Sequence, residues 1–379
     1  MKIRDVKAFP VSFPIPEANR VALGIGTAIK RDAVVVKVTT DDGLVGWGEA
    51  HHGRAHTAVA KLIETTLRQL ILGMDAHDVI GLWDRMYRFQ LASHGMGAGA
   101  CLAMSGIDMA IWDIRGKAVG LPLYRLLGGA RKAIPAYAGG VSLGYQPPPK
   151  LIEEAKKSLD KGYKAIKLRV GDNPADDIAR MTAVRKHFDK SLVILTDANI
   201  GYELEEVRRV MPAMDELGIG WLEEPFPAHD HRSYREAKGF GRTPLAAGEN
   251  HYTRFEFDRV IEDGAITILQ PDLSKSGGIT ECLRIAALAS AWKRPIHPHS
   301  SMTGLNHAAS IHFLAAIDNG GYFEGDVSKS NRYRDELVEN PGKIDKDGNV
   351  YPLDKPGIGL EVNEEFLAKH PPLEGPGYV

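Results

Sequence analysis

Six short apolar runs, each closing on an ionisable residue, constrain this chain more than any other feature. LVILTDAN stops at Asp197, IGWLEEP at Glu223, LAAGEN at Glu249, ITILQPD at Asp272, RPIHPHS at His299 and YFEGD at Glu324. Successive stops lie about 25 residues apart, the length of one strand–helix–strand step in a parallel α/β barrel. Barrel strands deliver their C-terminal residues to one mouth, so five carboxylates and a histidine are expected to converge there.

The rest of the chain fits around that unit. Its 379 residues exceed the usual size of one domain. Residues 1–50 read as strands, with Asp42-Gly43 between AVVVKVTT and LVGWGEA as a hairpin signal. TAVAKLIETTLRQLILG, DVIGLWDRMYRFQL and GACLAMSGIDMAIWDIRGKAVG then carry apolar residues at helical intervals. The expected organisation is an α+β capping domain over 1–130, a (β/α) barrel over 131–326, and a segment 327–379 packing back on the cap. Eight barrel strands are expected at 134–138, 164–169, 192–197, 219–223, 245–249, 266–272, 294–299 and 321–325. The fold class is therefore α/β, a modified TIM barrel with an N-terminal α+β cap.

A formal net charge of -2 gives no electrostatic case for nucleic acid or an anionic membrane. No apolar run approaches bilayer-spanning length, and the amino-terminal segment has no signal core. Cys101 and Cys282 match no ligand spacing and read as buried thiols in a reducing compartment. A cytoplasmic protein is expected.

Asp197, Glu223 and Glu249 end three consecutive strands. Three carboxylates at one mouth repel unless a cation lies between them, and Mg2+ suits such oxygen donors. Any one of them alone would read as a helix cap, but even spacing over three strands argues otherwise. Lys167 and Arg169, two apart, share one strand face, where cations need acidic partners. Asp272 would orient the imidazole of His299 as a general base near neutral pH. His297 on the same strand competes for that place. Glu324 would hydrogen-bond a substrate oxygen if its neighbours keep it protonated. A metal, flanking cations and a base together suit removal of a proton next to a carboxylate through an enediolate.

These residues resemble the enolase superfamily, in its mandelate racemase-like branch, over nearly the whole chain. The motifs are A-x-K-x-[KR] from Ala165 to Arg169, DAN at Asp197, EEP at Glu223, GEN at Glu249, PD-x-x-K-x-GG at Asp272 and PHSS at His299. The resemblance implies that Asp197, Glu223 and Glu249 bind Mg2+, that Asp272 and His299 form the base dyad, and that Glu324 polarises the substrate carboxylate. The muconate-lactonizing branch would carry a lysine at the position of Asp272. The racemase pattern would carry a second lysine base at the position of Arg169, whose guanidinium stays protonated. With a base on one face only, the expected reaction is dehydration of an aldonate or aldarate to a 2-keto-3-deoxy acid. The alternatives are a racemase, epimerase or cycloisomerase using the same enediolate, or a catalytically silent relative. Specificity is expected from the loop Asn19–Arg31, with Gly24 and Gly26, and from His51, His52 and Arg54. Asn199, on the strand face of Asp197, could bind substrate or serve structurally. The expected partner is a small carboxylate, a sugar acid, and homo-oligomers are common for such folds.

Overall fold

The computed structural model of the protein describes residues 1–379, the side chain of His94 excepted. Its amino-terminal part is a three-stranded antiparallel sheet, in which Ile3–Pro14 pairs with Lys30–Thr40 and that strand with Val45–Ala50. The Val34–Val36 run is buried, with Val36 beneath the helix Ala98–Val119, which lies across one face of the sheet. Small residues permit that approach: a Cβ on Gly48 would stand 2.8 Å from the Ala110 nitrogen. That explains the abundance of glycine and alanine in the helix. No helix among the described residues is long and apolar enough to cross a membrane.

From Ile134 the chain alternates strand and helix. The parallel strands Ile134–Gly139, Ala165–Arg169, Val193–Asp197, Leu222–Glu223, Leu245–Ala247 and Ile266–Leu269 pair in chain order, and Phe323–Asp326 pairs with the first. The strand expected over 294–299 does not form. Only Ile296 makes isolated bridges, to Leu269 and to Gly320. Pro295 and Pro298 flank it and cannot donate to a ladder. The sheet gains its eighth strand elsewhere, where Asn349–Val350 pairs antiparallel with the first barrel strand. The strands Leu245–Ala247 and Ile266–Leu269 end earlier than expected, so Glu249 and Asp272 stand in loops just past the strand tips.

Tyr137, Ala165, Leu195, Trp221 and Ala246 fill the barrel interior as a separate apolar cluster. His297 belongs to this floor. Its ring packs on Trp221 with centroids 5.1 Å apart, and Nδ1 accepts the Tyr322 N–H at 2.9 Å. Burial pushes it down to about 4, so it stays neutral. It is a packing residue, and the competition with His299 is resolved.

Polar contacts join cap, barrel and the residues after the barrel. Arg31 donates to Ser328 Oγ at 3.1 Å and to the Ser301 carbonyl. The Tyr333 hydroxyl donates to the carbonyls of Val11 and Arg31, at 2.8 and 3.0 Å. Lys37 pairs with Glu364 at 2.7 Å. A small hairpin, Ala22–Leu23 with Gly26–Thr27, projects from the cap over the barrel mouth. Its Gly24 lies so close to the Ala198 and Asn199 carbonyls that a Cβ has no room. Residues 377–379 line its outer edge: Thr27 and Val379 exchange backbone hydrogen bonds of 2.7 and 3.0 Å.

Glu49 makes one of these joints. It is fully buried, and Oε2 accepts from the Thr303 N–H and hydroxyl at 3.0 and 2.5 Å while Oε1 has no partner. Burial raises its carboxyl from 4.5 to about 8, against the hydrogen bonds from Thr303. The folded carboxyl thus keeps its proton to higher pH than the unfolded one, and its contribution to stability falls between about 4.5 and about 8. Glu49→Gln keeps the acceptor and removes the titration. Chemical denaturation across that range is expected to show the variant gaining on the wild type as pH rises; a constant difference would refute the assignment.

Candidate active site

The parallel register aligns the acidic tips. Arg169 sits beside Asp197, and Asp197 beside Glu223, in successive strand pairs. Lys167, two residues below Arg169 on the same face, is 1 % exposed and stands among three acids. Its Nζ lies 2.8 Å from Glu223, 3.0 Å from Glu324 and 3.3 Å from Asp197. Burial alone would lower its pKa, but Glu223, Glu324 and Asp197 raise it well above the ordinary lysine value. Lys167 is therefore a fixed cation. Glu223 is oriented on its other side by Gln270 Nε2 at 2.7 Å and Trp221 Nε1 at 3.1 Å. Burial, and repulsion from Asp197 and Glu324, outweigh Lys167 and raise it to about 7.

Arg169 is locked in place. It donates to Asp197, to the Gly140 carbonyl and, at 2.9 Å, to Asn199 Oδ1. Burial opposes its charge, yet Asp197 and Glu324 raise its pKa above the ordinary arginine value. Asn199 and Ile200 have left-handed backbone, φ +43 and +59, and this turn carries Asn199 back to the guanidinium.

The dyad expected from sequence is formed. His299 Nδ1 lies 2.6 Å from Asp272 Oδ2. Asp272 Oδ1 accepts from Ser274 N and Oγ, both at 2.7 Å, and from Asn306 Nδ2 at 3.0 Å. These donors hold the carboxylate plane, which in turn fixes the imidazole. The expectation of a base poised near neutrality needs correction. His299 Nε2 also lies 3.1 Å from Glu249, and Glu249 with the Asp272 hydrogen bond outweighs burial and raises the ring to about 10. Glu324 also differs from expectation. Burial would favour its neutral form, but Lys167, His299 and Arg169 pull it down to about 2. It is an ionised acceptor of the Gly140 and Ser300 N–H groups rather than a protonated donor.

Arg169, Asn199, Glu249 and His299 line a cavity of about 480 Å³, and His51, His52 and Arg54 line it from the cap. Lys167, Asp197, Glu223, Asp272 and Glu324 are sealed behind these residues, each 1 % exposed. The rings of His51 and His52 lie 4.2 Å apart between centroids, tilted by 31°. Each accepts a backbone N–H at Nδ1, from Gly53 at 3.1 Å and from Arg54 at 2.9 Å. Those bonds place the remaining proton on Nε2 of both rings. Burial lowers both pKa values, that of His52 to about 3, so the pair offers neutral donors.

Several cavity residues lie in or beyond the sequence motifs without a role that the motifs assign. Lys275, inside the PD-x-x-K motif, reaches Glu249 at 3.1 Å and Asn250 Oδ1 at 2.9 Å. Glu224, the second acid of EEP, has φ +39 and accepts from Asn250 Nδ2 at 3.0 Å with both oxygens. Tyr378 reaches the cavity from the far end of the chain.

Among the described residues no three carboxylate, imidazole or thiol groups converge at metal-ligating distance, because cations draw the acids aside. The donor set nevertheless suits a divalent ion. Asp197, Glu223, Glu249, Asp272 and Glu324 face Lys167, Arg169 and Lys275 as fixed cations, and a protonated His299 offsets only part of the remaining negative charge. Hard carboxylate oxygens of this kind favour Mg2+.

Comparison with known proteins agrees with this geometry. Residues 5–128 match the family model for the mandelate racemase/muconate lactonizing enzyme N-terminal domain, and residues 150–366 match the enolase C-terminal domain-like model. A D-galactonate dehydratase of Pectobacterium atrosepticum is 33% identical over 88% of this chain and 89% of its own length. An arabinonate dehydratase of Saccharolobus solfataricus is 32% identical over 97% and 99%. A 3,6-anhydro-alpha-L-galactonate cycloisomerase of Streptomyces coelicolor is 31% identical over 91% and 92%. A solved enolase-superfamily member from Polaromonas sp. JS666 shares 53% identity with a TM-score of 0.97, covering all of both chains. A racemase from Streptomyces coelicolor with bound magnesium is 28% identical, with a TM-score of 0.88 over 97% of this chain and 99% of that one. The chain belongs to the mandelate racemase/muconate lactonizing enzyme family of the enolase superfamily.

Proposed function

We propose that the protein is a Mg2+-dependent acid-sugar dehydratase, a hydro-lyase acting on an aldonate or aldarate. The observation that carries this reading is the state of Arg169. A guanidinium bound to Asp197, Asn199 and Gly140 cannot accept a proton. Two-base racemisation needs an acceptor on each face of the substrate carbon, and His299 serves only one. The resemblance to galactonate and arabinonate dehydratases supports the same conclusion.

In this reading His299 Nε2 takes the proton from the carbon next to the substrate carboxylate. The electron pair passes into that carboxylate as an enediolate, and Arg169, with Lys167 behind it, stabilises the added charge. The enediolate collapses with loss of the β-hydroxyl, to which the imidazolium returns its proton, so water leaves. The resulting enol rearranges to the 2-keto-3-deoxy acid. Asp197, Glu223 and Glu249 would hold the Mg2+, which when bound supplies Lewis-acid stabilisation of the carboxylate. His51 and His52 donate from Nε2 to hydroxyl oxygens of the sugar chain.

The experiment is a screen of aldonates and aldarates with Mg2+, reading keto-acid formation and, in D2O, exchange at the α-carbon. Water loss is expected without accumulation of an epimer. Epimerisation without water loss would overturn the proposal, and ring opening of an anhydro acid without water loss would favour cycloisomerisation. His299→Asn is expected to lower kcat by about 10²–10⁴.

Metal binding should also move the base. Glu249 contributes most to raising His299, so a cation on Glu249 lets the imidazole fall from about 10 toward 6.5. A base acts when deprotonated, so the acidic limb of kcat/KM is expected to shift to lower pH as Mg2+ saturates. An NMR titration of His299 with and without Mg2+ reads the same shift without turnover; unchanged titration would remove Glu249 from the ligand set.

A further inference from the structure

Three fixed cations line the cavity, and only one of them lacks an acidic partner. Arg169 is bound to Asp197, and Lys275 to Glu249. Arg54 has no carboxylate within ion-pair distance among the described residues, and it stands at the exposed side of the cavity. Arg169 and His299 line the same cavity and are buried.

Arg54 is nevertheless built into the fold. Its backbone is left-handed at φ +58, directly after Gly53 at φ +52, and its N–H is held by His52 Nδ1. A side chain larger than asparagine is uncommon in that region, and residues held there cluster at ligand clamps. The guanidinium carbon lies 4.9 Å from the ring centroid of Tyr378. That cation–π contact leaves the guanidinium N–H groups without a protein acceptor among the described residues, free to grip a carboxylate with two parallel bonds. Tyr378 is fixed in turn. It bridges Ala28, and its neighbours Gly377 and Val379 bond to Ile29 and Thr27 at 2.7–3.0 Å. The segment after the barrel thus supplies the wall against which Arg54 is braced.

We propose that Arg54 on Tyr378 forms a second anion subsite, so that the substrate is a dicarboxylate: an aldarate, with a carboxylate at each end of a hydroxylated chain. This deepens the dehydratase reading and rests on it. A monoacid would bring only a hydroxyl to this guanidinium, one neutral acceptor where two charged ones fit. The neighbouring His51 and His52, with uncharged Nε2 donors, suit the hydroxyls and add no charge that would compete for the second carboxylate.

The test uses matched acids that differ only at the terminal carbon: galactarate and galactonate, glucarate and gluconate, mannarate and mannonate. For the pair that is turned over, the diacid is expected to have kcat/KM higher by about 10–100-fold, the range of one charge-assisted bidentate contact. Arg54→Gln should collapse that ratio, Arg54→Lys should retain part of it, and Tyr378→Ala should reduce it through KM while Tyr378→Phe does not. Calorimetric binding of the same pairs to the Mg2+-loaded His299→Asn protein reads the preference without turnover. Equal or better use of the monoacid, or a ratio untouched by Arg54→Gln, overturns the subsite while leaving dehydration standing. Absence of water loss from every acid, with diacid binding still dependent on Arg54, would instead remove the dehydratase reading.

Discussion

The position of one lysine organises this site. Lys167 is 1 % exposed and touches three carboxylates, on the third, fourth and last strands of the barrel. A buried ammonium survives only because those acids oppose its desolvation, and they survive as anions in part because it is there. Removing one member of such a pair costs about 3–5 kcal/mol, since the other is left buried and uncompensated. The network therefore ties strands that are distant in sequence and sets the shape of the cavity floor. It remains short of positive charge even so. Burial, with repulsion from Asp197 and Glu324, raises Glu223 to about 7, and Glu249 raises His299 to about 10 against its burial. A divalent cation would offset that imbalance, as the proposed function requires.

The cap contributes by fixing the loop on which the base stands. Arg31 holds the Ser301 carbonyl, and Glu49 takes both donors of Thr303, so the residues following His299 are gripped from the amino-terminal sheet. The helix Gly304–Ala316 starts at Thr303, whose hydroxyl also accepts from the Leu305 N–H at 3.0 Å. Asn306 on its first turn returns to Asp272. Sequence-distant elements thus meet on a single loop, and the dyad geometry depends on the cap as much as on the barrel.

How much of this was legible beforehand follows from the kind of signal involved. Asp197, Glu223, Glu249, Asp272 and Glu324 announced themselves because strand periodicity puts every tip at one mouth. The cap hairpin at Asp42-Gly43 was legible for the same local reason. The stretch around Ile296 read as a strand from its spacing, but two prolines left it with bridges only. Lys275 needed the turn in which the Lys275 and Ser276 N–H groups bond the Asp272 carbonyl, a conformation that no periodicity encodes. Tyr378 needed the docking of residues 377–379 on the small hairpin of residues 22–27, which is purely tertiary. The charge states of Glu324 and His299 were illegible because each is the sum of burial and several neighbours of opposite sign.

Arg169 shows how a single exchange can redirect a shared framework. A lysine in its place could lose a proton once neighbouring charge is relieved, giving a second base opposite His299. The guanidinium cannot, and its fork is spent on Asp197, Asn199 and the Gly140 carbonyl at once. The same contacts join the first three barrel strands at their mouth, so the residue that forbids protonation on one face also stiffens the floor beneath it. Chemistry that begins with proton removal must then finish on the face where it began. In the proposed dehydration, loss of the β-hydroxyl meets that condition, because the proton that His299 takes is the one the departing hydroxyl requires.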